Sequence, residues 1–124
     1  MEGRSPLIAI VEDDASMLRS VRRLLAIEGF KVEGYESAEA FLERRSTSQV
    51  DCLVLDIQLP RISGLELRQQ LTAMGSDIPI IFITAIEDKA VEDAAVRVGC
   101  VAYLRKPFQP ETLIAAVTDA LGVR

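Results

Sequence analysis

The stretch Asp51-Cys52-Leu53-Val54-Leu55-Asp56-Ile57-Gln58-Leu59-Pro60 constrains this chain most, because four apolar residues stand between two acids. A run that short, apolar throughout rather than alternating, predicts a buried strand of a parallel sheet, covered on both faces. Asp56 then stands at the strand's carboxyl end. In an open α/β sheet, ligands bind in the crevice outside the carboxyl ends of the strands, so the position of this acid points to chemistry. The bland alternative is a polar residue that opens a turn before Pro60.

The rest of the chain repeats the pattern, alternating apolar strands and amphipathic helices five times. Leu7–Val11 predicts the first strand, followed by Glu12-Asp13-Asp14 and a helix with Leu18, Val21 and Leu25 at i, i+3 and i+7. Asp14 is expected as its N-cap and Gly29 as the residue that ends it. Lys31–Tyr35 predicts a second strand whose charged Lys31 and Glu33 suit a sheet edge. Ser37 should cap a second helix through Phe41 and Leu42, and the polar segment from Arg44 to Gln49 predicts a surface loop. A third helix follows Ser63-Gly64, with Leu67, Leu71 and Met74 on one face and Gly75 as its stop. Ile78–Thr84 predicts strand four, with Pro79 tolerated near its start. Val91, Ala94, Ala95 and Val98 mark helix four, ended by Gly99; Val101–Leu104 predicts strand five. Pro110 should open the last helix, with Leu113, Val117 and Leu121 on its buried side.

Strands alternating with helices through right-handed crossovers require a doubly wound parallel sheet with helices on both faces. At 124 residues the chain is expected to be a single domain spanning 1–124, with no interdomain linker. No apolar run approaches the length of a membrane span, and Met1-Glu2-Gly3-Arg4-Ser5-Pro6 is too short and polar for a signal peptide, so a cytoplasmic location is expected. With no histidine and two cysteines, Cys52 and Cys100, each heading an apolar run and so expected as a small buried residue, a zinc site or disulfide is not expected. A net charge of -5 argues against direct nucleic-acid binding by this chain and suits a cation site better.

The predicted topology lines up, along one edge of the sheet, Glu12 and Asp13 after strand one, Asp56 after strand three, Thr84 after strand four and Lys106 beyond strand five. Taken singly, each has a plain explanation: a solvated helix start, a turn opener, a helix cap, a surface lysine. Together they make a cleft of three acids, one hydroxyl and one ammonium.

Val11-Glu12-Asp13-Asp14, Asp56 followed by Leu59-Pro60 and Gly64, Thr84-Ala85, and Tyr103-Leu104-Arg105-Lys106-Pro107-Phe108 resemble the receiver domain of two-component response regulators, over Leu7 to Leu121. The resemblance implies a flavodoxin-like (βα)5 fold with strand order 2-1-3-4-5, an order for which receiver domains are a standard example. It implies Asp56 as phosphoacceptor, and Mg²⁺ held by Glu12, Asp13, Asp56 and the backbone carbonyl of Gln58, with Asp13 the better placed of the acidic pair as a direct ligand. Glu12 stands where the family often has Asp and should reach the ion through water; Asp14 falls outside the pair. Lys106 and Thr84 would serve phosphoryl oxygens, and the Lys106–Pro107 bond would be cis. Thr84 and Tyr103 would act as a switch, altering the face formed by helix four, strand five and helix five. Gln58 and Ile86, each two residues beyond a site residue, would set the lifetime of the phosphoform. The chain would act not as an enzyme on a separate substrate but as a domain promoting its own phosphorylation and dephosphorylation.

The implied partners are a sensor histidine kinase or phosphotransfer protein, and a second copy of the chain in a phosphorylation-dependent homodimer. Glu36-Ser37-Ala38-Glu39-Ala40-Phe41-Leu42 resembles FixJ-type receivers more narrowly, which precede a DNA-binding effector domain that controls transcription. No such module is expected within these residues, and an end at Gly122-Val123-Arg124 fits a piece of a longer regulator or a free-standing receiver. Three other readings compete. A flavin binder would need hydroxyls and glycines after strand one, where three acids stand. A phosphatase with an aspartyl intermediate would place its nucleophile there, with a second Asp two residues on. A degenerate receiver would lack part of the phosphorylation set, all of which is present.

Overall fold

The structure, a computed structural model, describes residues 5–44 and 49–122. Its elements run β1 (Leu7–Val11), α1 (Ala15–Ile27), β2 (Lys31–Tyr35), α2 (Ala38–Leu42), β3 (Cys52–Asp56), α3 (Gly64–Ala73), β4 (Ile80–Thr84), α4 (Lys89–Val98), β5 (Ala102–Arg105) and α5 (Pro110–Ala120). The five strands form one sheet in the order β2-β1-β3-β4-β5, with every pairing parallel. That is the expected doubly wound arrangement.

Strand alternation sorts the core into two layers. Ala9, Val11, Leu53, Leu55, Ile80 and Phe82 face α2, α3 and α4, meeting Phe41, Leu67, Leu71 and Ala95. Ile8, Ile10, Cys52, Val54, Ile81 and Ile83 face α1 and α5, meeting Leu18, Val21, Leu25, Leu113 and Val117. All residues of β1, β3 and β4 are buried, which explains their unbroken apolar runs. Each large side chain so buried contributes about 1.5–3 kcal/mol, so the central strands anchor whatever stands at their ends.

The helix starts next to those ends are fixed by caps. Asp14 Oδ1 accepts from Met17 N at 3.0 Å. Ser63 Oγ accepts from Glu66 N at 3.1 Å while Glu66 Oε1 accepts from Ser63 N at 2.9 Å, a reciprocal capping box. Asp88 Oδ1 accepts from Ala90 N at 2.9 Å. Pro110 opens α5 at its first turn, and Gly29, at φ +98°, follows α1 where a left-handed residue is needed.

Several expectations need correction. β4 begins at Ile80, not Ile78, since Pro79 contributes only its carbonyl, to Leu53 N at 2.9 Å. β5 begins at Ala102 rather than Val101, which is 54% exposed and joins the ladder only through its N–H, to Ile80 O at 2.8 Å. Met74 caps the end of α3 and is 69% exposed rather than on the buried face. Cys100 is half-buried and Leu121 sits half-buried at the end of α5. Residues 1–4, 45–48 and 123–124, on which the amino-terminal reading, most of the predicted loop and the chain end fall, lie outside the described residues. Among the described residues no helix is long and apolar enough to cross a membrane.

At the β2 edge, Glu33 Oε1 accepts from Tyr35 Oη at 2.7 Å and from Arg44 Nη2 at 2.8 Å and Nε at 3.0 Å. Burial pushes the Glu33 carboxyl up, but these donors outweigh it and hold the group below its ordinary range.

Candidate functional site

The backbone ladder extends one residue beyond β1 and β5. Glu12 N donates to Tyr35 O at 3.0 Å, and Lys106 N donates to Thr84 O at 2.8 Å. Glu12 and Lys106 are therefore fixed like strand residues, beside the ends of β3 and β4 where Asp56 and Thr84 stand. The Lys106–Pro107 peptide is cis, as expected.

Lys106 Nζ binds both acids, donating to Glu12 Oε1 at 2.7 Å and Asp56 Oδ2 at 3.0 Å. Their side chains are 16%, 1% and 4% exposed respectively, so the plain reading of Lys106 as a surface lysine is overturned. Burial raises the Glu12 pKa, and the hydrogen bonds it accepts from Lys106 and Asp14 N oppose that only in part. Burial works against the Lys106 charge, yet its bonds to the two carboxylates outweigh this and lift its pKa above the usual lysine value. The ammonium is thus held charged between two buried carboxyl groups.

Asp13 is exposed at the mouth of the cleft, and one carboxylate oxygen from each of Glu12, Asp13 and Asp56 lies within 4.8 Å of the other two. Three carboxylates facing one ammonium leave an excess of negative charge, and an all-oxygen donor set of this kind fits a hard divalent cation. Both Glu12 oxygens already accept a hydrogen bond, Oε1 from Lys106 and Oε2 from Asp14 N at 3.0 Å, whereas Asp13 is open to solvent. Asp14 caps α1 and stays out of the cluster, as expected.

The floor of the site is set by the β3–α3 loop. Gln58 N donates to Asp56 Oδ1 at 3.0 Å, orienting the carboxylate, and Gly64 N donates to Ile57 O at 3.0 Å, drawing the start of α3 against the strand end. Thr84 is fully buried, and its hydroxyl donates to Gln58 Oε1 at 2.5 Å while accepting from Ile86 N at 3.1 Å. Thr84 is not a helix cap; Asp88 fills that role for α4. The Gln58–Thr84 bond is the feature that sequence reasoning missed, since nothing in a sequence marks an amide two residues beyond Asp56 as a partner for a hydroxyl on the next strand.

Tyr103 stands apart from this group. It is half-buried and lines a cavity of about 340 Å³ with Ile86, Glu87, Asp88, Lys89, Glu92 and Arg105, beside the amino-terminal end of α4. Ile86, 43% exposed, lies between the two regions, its N–H on Thr84 and its side chain on the cavity.

Comparison with known proteins agrees with this geometry. Residues 8–118 match the model of the response regulator receiver domain. The chain is 37% identical over 121 residues to the response regulator protein TodT of Pseudomonas putida, covering 98% of this chain and 53% of that protein. Among solved structures, the response regulator StyR superposes with a TM-score of 0.88 at 41% identity, over 96% of this chain and 60% of that one. FixJ-N superposes with a TM-score of 0.87 at 32% identity, over 96% of this chain and 95% of that one. The chain spans about half the length of the curated relatives it matches.

Proposed function

The chain belongs to the response regulator receiver domain family, and from that premise we propose that it is a phospho-accepting switch in a two-component phosphorelay. The ionised Asp56 carboxylate attacks the phosphorus of a phosphohistidine on a sensor kinase or phosphotransfer protein. A P–O bond forms as the P–N bond breaks, and the leaving imidazole keeps the electron pair and takes up a proton. No base on this chain is needed, because the nucleophile is already an anion. The transition state spreads charge over three equatorial oxygens, so the work is positioning and electrostatics. The Lys106 ammonium serves one of those oxygens and the Thr84 hydroxyl another. Glu12, Asp13, Asp56 and the Gln58 carbonyl would hold Mg²⁺, which when bound supplies further positive charge to the phosphoryl oxygens and offsets the crowding of the carboxylates.

The observation that carries this reading is the buried pair of contacts from Lys106 Nζ, 2.7 Å to Glu12 and 3.0 Å to Asp56, at the ends of three different strands. A phosphoryl group on Asp56 draws the Thr84 hydroxyl toward it, and Tyr103 rotates with the loop that follows, altering the face of α4, β5 and α5. Dephosphorylation is slow, since the apolar Ile86 cannot orient an attacking water and Gln58 does so weakly; Ile86→Glu should hasten it, and an unchanged rate would sink this part. The switched face pairs with a second copy of the chain or controls transcription through an effector domain of a longer protein, in the cytoplasm.

Incubation with acetyl phosphate and Mg²⁺, followed by intact mass measurement, should add one phosphoryl group to the native chain and none to Asp56→Asn. Labelling that survives in Asp56→Asn would overturn the assignment.

A further inference from the structure

We infer that the Gln58 side chain is a positioning residue that latches Thr84 in the resting state, so that a phosphoryl group on Asp56 must displace an amide oxygen before it gains the Thr84 hydroxyl. The inference rests on the receiver reading and adds to it a competitor built into the site.

A threonine hydroxyl has one proton to donate. In the resting protein that proton is committed, with Thr84 Oγ1 only 2.5 Å from Gln58 Oε1. The orientation of the amide follows from the second bond. Ile86 N already donates to Thr84 Oγ1 at 3.1 Å, so a flipped amide, offering its NH₂, would crowd the oxygen with donors and leave the buried hydroxyl proton without an acceptor. Gln58 is also tied to the other end of the reaction, because its own N–H donates to Asp56 Oδ1 at 3.0 Å. One residue therefore joins phosphoacceptor and switch hydroxyl, its backbone holding the first and its side chain the second.

A ligand shifts a two-state equilibrium only by its differential affinity for the two states, so whatever the amide contributes to the resting state is subtracted from ligand binding. A neutral hydrogen bond of ordinary net strength corresponds to about a 2- to 10-fold change in an equilibrium constant. Gln58→Met keeps the length of the side chain and the backbone carbonyl, and removes the strong acceptor.

The test is binding of beryllofluoride with Mg²⁺, a stable mimic of the phosphoryl group, followed through the threonine and isoleucine methyl resonances. Gln58→Met should bind at a concentration lower by about 2- to 10-fold than the native chain. In a Thr84→Val background, where the hydroxyl is gone, the same Gln58→Met change should have no effect on the midpoint. A midpoint unaltered by Gln58→Met, or an equal gain with and without the Thr84 hydroxyl, would overturn the latch while native binding leaves the receiver reading standing. Absence of beryllofluoride binding by the native chain would overturn both.

Discussion

Gly64→Ala tests how tightly Asp56, the proposed phosphoacceptor, is held. Gly64 is the first residue of α3 and does not need a left-handed backbone, so helix propensity alone favours alanine by up to about 1 kcal/mol. Packing points the other way. A β-carbon there would overlap the Asp56 carbonyl oxygen and lie 2.9 Å from Ile57 Cα and 3.0 Å from the Asp56 carbonyl carbon. The Ile57 distance is about half an ångström below the 3.4 Å at which ordinary contact begins, and every one of these neighbours is backbone, so no rotamer change relieves it. Overpacking of this kind costs about 1–3 kcal/mol, more than the propensity gain. The variant should therefore melt lower, by several degrees, in a thermal scan followed by circular dichroism. The displaced atoms carry Asp56 and the Gln58 N–H that orients it, so acetyl phosphate labelling, read by intact mass, should slow by about 10-fold or more. Gly34→Ala is the contrast, since a β-carbon there meets side-chain ends, Arg22 Cδ at 2.9 Å and Leu18 Cδ1 at 3.1 Å, and the exposed Arg22 can swing away. A Gly64→Ala protein with native stability and native labelling would refute the claim that backbone contact at this glycine pins the site.

Three further outcomes follow from other parts of the fold. Ser63→Ala should lower stability to urea by about 1 kcal/mol, because the α3 capping box loses its hydroxyl acceptor; an unchanged midpoint would mean that water replaces it fully. Glu33→Gln should lower stability by about 1 kcal/mol near neutral pH, since the partly exposed carboxylate accepts from both Tyr35 and Arg44. A carboxyl held below its unfolded value stabilises above that value and loses the effect as pH falls, so the gap between native and variant should close below about the ordinary glutamate value of 4.5; a gap that widens in acid would contradict the assignment. Burial pushes the Cys52 thiol up to about 12, so iodoacetamide near neutral pH should leave it unmodified in the native protein and alkylate it in urea, with mass spectrometry distinguishing it from half-buried Cys100.

How much of this was legible beforehand depends on which force sets each feature. The three central strands were readable because burial on both faces leaves an unbroken apolar run, and that period survives in the sequence. The apolar run at the sheet edge starts one residue before β5 itself, because Val101 is apolar yet 54% exposed, and hydrophobicity at an edge does not report which side a residue faces. Met74 differs from its expected place for a related reason: the helical period continues through it, but α3 stops at Ala73 and leaves it in solvent. Asp14, Ser63 and Asp88 are all recognisable as caps, since capping is local chemistry carried by the residue itself. Side-chain contacts between separate elements, such as Gln58 with Thr84 and Arg44 with Glu33, follow from packing and leave no period to read.

The distribution of burial suits the division of labour proposed for the site. Glu12, Asp56 and Thr84 continue or end β1, β3 and β4, strands buried along their whole length, so their backbones cannot shift without disturbing both core layers, while a side chain such as that of Thr84 can still rotate. Catalysis by positioning needs that rigidity. The elements assigned to the switch are held less firmly. β5 is only partly buried and has one neighbouring strand, and Ala95 is the sole fully buried residue of α4. Arg68 Nε ties the far end of α4 through Gly99 O at 2.9 Å, while its near end borders the cavity lined by Ile86 and Tyr103. On the proposed mechanism, displacement of the Thr84 hydroxyl would act at that end, through Ile86 N, on elements with few fully buried residues to dislodge.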